Sequence, residues 1–286
     1  MGVVGATSLA DALDALAERP EARLLAGGTD LMVDVNAGRV TLDHVVSVAR
    51  IPELRTWHHD PAARRVRFGA GLTFSEIGAS PIARLVPALG EAARALGSVQ
   101  IRNAATIGGS IGTASPAGDA LVVLAALDAL VEVRSATATR RLPVTDVVRG
   151  PGDARLRPGE LIVAIEVPVV GGAQHFAKVG ARNAVSVAVV SAAVVLDRHR
   201  HEVRVAMGAV GPTAVRAPDA EAWLADALDW EAPRLLDGDA GDATAREFGI
   251  RAAAAADPID DPRASAGYRR HAVGVLCARL ARRCGS

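Results

Sequence analysis

Apolar residues recur along the chain at two periods, and the switches between them mark out the elements. Leu9, Leu13 and Leu16 share one face of a segment running from Ser8 to Glu18, which predicts an amphipathic helix. A short strand at Arg23–Ala26 runs into a glycine pair. A helix over Leu31–Asn36 follows, with Gly38 placed to stop it, and then a β-run at His44–Val48. Together these make a small βαβ-type unit. From about Thr56 the texture changes. Arg65–Gly71 alternates as a half-buried strand does, Thr73 is an N-cap candidate for a helix opening at Phe74–Ile77, and Pro81–Leu96 reads as one helix ending near Gly97.

Between Asn103 and Asp119 the periodicity lapses into Gly, Ser and Thr, which reads as a long loop. Ala120–Leu127 then reads as helix, Ala129–Arg134 as strand, and Leu161–Val167 as a strand closed by Pro168. Val169–Ala173 is the best junction candidate. Beyond it come a short strand at Phe176–Gly180, a long one at Val185–Leu196, a turn at 198–201 and a partner strand at Val203–Val210. Gly211-Pro212 breaks the sheet, and helices follow at 219–228, 242–256 and 265–283. The expected division is 1–55, 56–170 and 174–286. No segment repeats at a fixed period.

Composition narrows the function classes. The 286 residues suffice for one large domain or two to three smaller ones, and half of them are hydrophobic, so buried cores are expected and long disorder is not. Basic and acidic residues are equal at 32 each, which leaves no electrostatic footprint for a polyanion, and 3% aromatic content leaves no stacking platform for single strands. Nucleic-acid binding is therefore not expected. Cys277 and Cys284, seven apart on one helix face, read as two reduced thiols and hold no cluster. His58, His59, His199 and His201 sit beside turn residues and read as solvated, so no metal site is expected. The longest apolar run, Val185–Leu196, is shorter than the roughly 20 residues that span a bilayer, and the start of the chain lacks a basic–apolar leader pattern. The expectation is a cytoplasmic protein with no membrane span.

Two glycine-rich stretches carry the candidate chemistry. In Leu24-Leu25-Ala26-Gly27-Gly28-Thr29-Asp30-Leu31 a strand enters a glycine pair and a helix begins just after it. Glycine lets the main chain approach a ligand without a Cβ in the way, and the free amides at a helix start suit a pyrophosphate. Thr29 is placed either to cap that helix or to offer its hydroxyl to phosphate. The second stretch, Ile101–Asp119, contains Gly108, Gly109, Gly112 and Gly118 interleaved with Thr106, Ser110, Thr113 and Ser115. Such a stretch can wrap a phosphate chain with neutral donors. Asp119 fits either as an acceptor for a sugar or ribityl hydroxyl or as a helix N-cap. Neither stretch is a G-x-G-x-x-G or Walker fingerprint, so a dinucleotide requires both acting together. No Ser–His–Asp arrangement, G-x-S-x-G elbow or catalytic acid–base pair stands out.

These residues, in this order, resemble the medium, FAD-binding subunits of the molybdenum hydroxylases, the xanthine dehydrogenase and carbon monoxide dehydrogenase family. The matching stretches are Ala26–Asp30, Ile51-Pro-Glu-Leu54, Ile101–Gly109, Ala114–Asp119, Pro158-Gly-Glu-Leu161, Lys178-Val-Gly-x-Arg182 and Asp261-x-Arg-Ala-Ser-x-x-Tyr-Arg269. The resemblance implies an α+β, vanillyl-alcohol-oxidase-like (PCMH-type) FAD-binding fold with a C-terminal three-stranded antiparallel sheet plus helices. It also implies non-covalent FAD. The pyrophosphate would be held by Leu24–Leu31 and by Thr106, Ile107, Gly108, Gly109 and Ser110. Ala114 and Asp119 would lie at the cofactor, Leu96 and Ile162 near the flavin, and Lys178 beside its ring system. Ser110 stands where many relatives carry Asn, and Leu96 where some carry an aromatic residue.

The implied role is electron transfer within an oxidoreductase complex. Molybdopterin would reside in a large partner subunit and 2Fe–2S clusters in a small one, with NAD, quinone or oxygen as the external acceptor. The rival readings are a stand-alone FAD-dependent oxidase or dehydrogenase of the same fold, and a scaffold that has lost FAD. The Tyr268-Arg269-Arg270 stretch reads as helix packing and surface charge, with a contribution to a subunit interface as the other reading.

Overall fold

The computed structural model describes residues 2–232, 234 and 236–285. The first region contains β1 (Gly2–Gly5), α1 (Leu9–Glu18), β2 (Arg23–Leu25), α2 (Leu31–Asn36) and β3 (His44–Ser47). The three strands form a parallel sheet in the order β1-β3-β2. Helix α1 starts at a reciprocal capping box, in which the Ser8 hydroxyl accepts from Asp11 N and the Asp11 carboxylate accepts from Ser8 N, both at 3.1 Å. Its apolar face buries Ala12 and Leu16 under the sheet, beside Val46, Val48, Ile51 and Leu54.

The second region adds β4 (Trp57–Asp60), β5 (Arg65–Gly69), α3 (Phe74–Ala79), α4 (Ile82–Leu85), α5 (Pro87–Ala95), α6 (Val99–Ala104), α7 (Ile107–Thr113) and α8 (Asp119–Ala126). It continues with β6 (Leu130–Arg134), β7 (Thr139–Pro143), α9 (Val144–Val147), β8 (Val148–Gly150), β9 (Asp153–Ala154) and β10 (Leu161–Pro168). A five-stranded antiparallel sheet runs β4-β5-β10-β6-β7. The central strand β10 is apolar on both faces. Leu161 and Val163 join the core under the parallel sheet, whereas Ile162 and Ile165 join the main core, with a register shift between Ile162 and Ala164. Helix α8 is buried at all eight positions and fills the centre of that main core.

The third region is β11 (Gln174–Gly180), β12 (Ala188–Asp197), β13 (Glu202–Gly208), β14 (Val215–Arg216), α10 (Pro218–Ala227), α11 (Gly238–Ala254) and α12 (Ala266–Gly285). Strand β12 is buried along its whole length because it is covered on both sides. Ala193 and Val195 face the α8 core, and Val190, Ala192, Val194 and Leu196 face the core made with α10–α12.

Four expectations from the sequence differ from this architecture. The helix over 81–96 is cut in two, since Val86 leaves the helical region before Pro87, as a residue before proline is driven to do. The Gly-rich stretch contains helix α7, because burial of Ile107 and Ile111 outweighs the low helix propensity of its glycines and Thr106 caps its start. The long strand begins at Ala188, three residues after Val185, and the C-terminal sheet has a short fourth strand, β14. Strand β1 escapes an alternation test because Val3 and Val4 are both exposed.

Helices α11 and α12 cross where Gly249 faces Gly274. A Cβ on Gly249 would stand 2.3 Å from the Gly274 carbonyl oxygen. Gly249→Ala therefore forces the helices apart and is expected to lower stability by about 1–3 kcal/mol, read as a lower midpoint in urea denaturation.

Candidate functional site

A cleft of about 930 Å³ opens where the three regions meet. Both glycine-rich stretches line it, far apart in sequence and touching in space. Gly27 lies so close to the chain at α6 that a Cβ there would stand 1.8 Å from the Ala104 carbonyl oxygen. Thr113 Oγ1 donates to Asp30 Oδ2 across 3.1 Å and pins the end of α7 to the start of α2. The required glycine freedom thus serves chain-to-chain contact as well as open backbone. Gly28 adopts φ +71° at the bend. Gly108 packs on the turn just after β5, where a Cβ would meet Ala70 Cβ at 2.6 Å, whereas Gly112 lines the cleft and a Cβ there meets nothing within 4 Å.

The two stretches differ in their main-chain donors. The amides of Gly27, Gly28 and Thr29 bond to no acceptor among the described residues. Those of the second stretch are engaged: Ile107 N donates to Leu72 O, Gly108 N to Ala70 O, Gly109 N to Thr106 Oγ1 and Ser110 N to Thr106 O. The first stretch therefore offers free amides, and the second offers shape and the Ser110 hydroxyl. Asp30, not Thr29, occupies the N-cap position of α2, and neither side chain caps it.

Of the residues singled out in the sequence, Leu24, Leu25, Ala26, Gly27, Gly28, Thr29, Asp30, Leu31, Leu96, Thr106, Gly108, Gly109, Ser110, Asp119, Ile162 and Lys178 all line this one cleft. Ile107 and Ala114 do not. Both side chains are fully buried in the main core, Ile107 as the first residue of α7 and Ala114 as its left-handed C-cap at φ +50°.

The electrostatic centre of the cleft is an ion pair. Lys178 Nζ lies 2.5 Å from Asp119 Oδ2 and 3.2 Å from the Ser186 carbonyl oxygen, to which it also donates. Both side chains are largely buried, at 12% and 5% exposed. Asp119 Oδ1 is buried and has no partner among the described residues. Burial raises the Asp119 carboxyl above its ordinary value, and the adjacent ammonium pulls it back. Asp119 is the first residue of α8 and makes no side-chain cap, so the cap reading gives way to the ion pair. Arg182 acts as a structural fork, donating to the carbonyls of Ala184 and Val185 in the bend before β12.

Sequence reasoning missed part of the lining. The bend at Val185–Ala188 faces the cleft, as does the Arg157–Glu160 turn. Burial raises the Glu160 carboxyl, but the Arg140 guanidinium and Arg157 N outweigh it and hold the group below its ordinary value. One signal lay in plain view: Lys178 is the only lysine in the chain, every other member of its 32 basic residues being arginine. Among the described residues no cluster of three His, Cys, Asp or Glu side chains could hold a metal ion, and no helix is long and apolar enough to cross a membrane. His58 and His59 lie on strand β4, and His201 stacks on Trp230 with ring centroids 5.2 Å apart. Both cysteines are buried free thiols, and burial pushes Cys277 up to about 12.

Residues 1–170 match the family model for the FAD binding domain in molybdopterin dehydrogenase, and residues 175–284 match that for the CO dehydrogenase flavoprotein C-terminal domain. The chain is 34% identical over 226 residues to a xanthine dehydrogenase FAD-binding subunit of Escherichia coli, covering 76% of each. It is 30% identical over 277 residues to the glyceraldehyde dehydrogenase medium chain of Sulfolobus acidocaldarius, covering 96% of this chain and 94% of that one. Among solved structures, CO dehydrogenase from Oligotropha carboxidovorans superposes with a TM-score of 0.88 at 25% identity, over 100% of this chain and 97% of that one. Quinoline 2-oxidoreductase from Pseudomonas putida shares the fold, with a TM-score of 0.88 at 23% identity over 100% and 96%.

Removing the ammonium leaves the Asp119 carboxylate buried without a counter-charge. In Lys178→Met the folded-state Asp119 value rises further above the unfolded value of about 3.9, so the folded state holds its proton to higher pH. Stability is then retained at low pH and lost as pH rises. Urea denaturation of ligand-free protein is expected to show a small deficit near pH 4 and one of about 3–5 kcal/mol at pH 7. A deficit independent of pH would show that the pair is not ionic.

Proposed function

Since the chain belongs to the FAD-binding medium subunits of the xanthine dehydrogenase and carbon monoxide dehydrogenase family of oxidoreductases, we propose that it is the electron-transfer subunit of a molybdenum hydroxylase complex. In that complex it stands between the iron–sulfur clusters of a small subunit and an external acceptor such as NAD, quinone or oxygen. A large subunit carries molybdopterin and oxidises the substrate. The relatives' designations as medium chains and FAD-binding subunits support this arrangement. We read 1–55, 56–170 and 174–286 as three units, each centred on one of the three core clusters, with β10 and β12 joining neighbouring units by contributing to two clusters each.

The observation that carries the reading is the cleft. Its volume lies at the upper end of the roughly 300–1,000 Å³ usual for small-molecule sites, which suits an extended dinucleotide. Its donors fit FAD in kind. The free amides of Gly27, Gly28 and Thr29 and the Ser110 hydroxyl are neutral donors for a diphosphate. The orphaned, buried Asp119 Oδ1 needs a hydroxyl donor, which a ribityl or ribose group carries. Leu96 and Ile162 supply apolar wall and exclude water. When bound, FAD supplies a redox centre that accepts electrons singly and releases them in pairs. Lys178 places a fixed positive charge at the same wall, where it favours negative charge on a neighbouring group. No protein acid–base pair is needed for this role.

Two tests follow from the geometry. Purified protein reconstituted with FAD is expected to show flavin absorbance that is released on denaturation, and a colourless product would overturn the proposal. Gly112→Leu projects a side chain toward the cleft from a position where an added Cβ meets nothing within 4 Å. It is expected to weaken FAD retention by about tenfold or more while leaving the far-UV circular dichroism unchanged.

A further inference from the structure

The Asp261–Arg269 stretch is built around a buried guanidinium. Arg269 lies in the first turn of α12 with its side chain 3% exposed. The surface expectation for Tyr268-Arg269-Arg270 therefore fails at its middle residue, because the Arg269 side chain turns inward to reach main-chain acceptors. Its Nη1 donates to two carbonyl oxygens at once, Val189 O at 2.7 Å and Ala209 O at 2.9 Å. Its Nη2 sits 2.6 Å from Asp261 Oδ1, off the direction of a hydrogen bond, and its Nε has no partner among the described residues. Asp261 is fixed in turn by donors from Arg263 and Ala264. The Arg263 guanidinium above all holds its carboxyl well below the usual carboxylate range.

The two carbonyls lead to the two walls that hold the Lys178–Asp119 pair. Val189 follows Ala188 at the start of β12, next to the bend whose Ser186 carbonyl accepts from Lys178. Ala209 follows β13 with φ +58°, and its N–H donates to Pro116 O at 2.8 Å, within the Ala114–Asp119 stretch. One planar fork thus sets the separation of the β12 and β13 ends. From there the segment holding the ammonium is three residues away on one side, and the loop bearing the carboxylate is one hydrogen bond away on the other. A lysine, a point charge with no rigid fork, cannot reproduce that spacing.

We propose that Arg269, charge-balanced by Asp261, is a positioning residue for the cofactor site that sets the geometry of the Lys178–Asp119 pair through the Val189 and Ala209 carbonyls. The inference rests on the cleft being the FAD site, and the experiment separates the two claims. FAD affinity of the full chain is measured by fluorescence titration for wild type, K178Q, R269K and the double variant. Each single variant is expected to bind FAD about tenfold more weakly, and the double variant no more weakly than the worse single, since both changes act on one contact. F248L, which thins the core made with α10–α12 on the far side of the C-terminal sheet, is expected to lower the thermal midpoint and keep wild-type affinity. That control excludes general destabilisation as the cause. If R269K does not fold, D261N takes its place in the cycle, because it leaves the fork and removes its counter-charge. Unchanged affinity in R269K, or a double variant weaker by about hundredfold as independent effects would give, overturns this inference alone. Failure of the wild type to bind FAD overturns the cleft reading and this inference together.

Discussion

A lysine and an aspartate 2.5 Å apart hold together two parts of the chain that are organised around different sheets. Lys178 comes from β11 of the C-terminal sheet and Asp119 from the start of α8, the helix at the centre of the main core. Charges this deeply placed repay their desolvation only when geometry is tight and the remaining lone pairs find partners. Here the ammonium has its carboxylate and the Ser186 carbonyl, while one carboxylate oxygen is left over and buried. The shortfall falls at the cleft, where a ligand hydroxyl would remove it.

A second joint backs the first. Glu91 on α5 accepts from Phe176 N at 2.7 Å, lies 3.0 Å from His175 Nδ1, and lies 3.0 Å from Arg283 at the end of α12. Both joints grip β11, so that strand is fastened to the helical layer at its beginning and its middle. Helices α10–α12 close the opposite face of the C-terminal sheet and stand away from the cleft. Their influence on it passes through strand ends, as the Arg269 fork shows. The same layering explains why β12 and the first part of β10 are apolar on both faces: each divides two cores there, and β10 turns a side to water at Glu166, which pairs with Arg65 and Arg141.

Much of this was legible in the chain, and the illegible parts have physical causes. Alternation located β5, the helical spacing of Leu9, Leu13 and Leu16 located α1, a capping threonine located α3, and apolar runs bounded by turn residues located β10 and β13, because those signals are local. The glycine-rich stretches pointed to one cleft because a strand entering paired glycines leaves few other uses for them. Helix α7 was hidden, since glycines suppress its propensity and only the burial of Ile107 and Ile111, a tertiary fact, makes it form. The purpose of individual glycines was hidden as well. Gly27 and Gly108 are small because another piece of backbone passes close by, and sequence does not say which. Arg269 looked like one more surface arginine in a chain full of them, and only the fold turns it inward.

The solitary lysine has a practical corollary. A protease that cuts after lysine finds one bond to attack in the chain, between Lys178 and Val179, in a strand paired on both sides of the cut and beside a largely sequestered side chain. Scission there requires β11 to peel away from β12, so the rate at which a single nick accumulates clocks the local opening of this sheet against a silent background. Any molecule that settles against the Lys178–Asp119 pair should slow that clock, whatever its colour or chemistry.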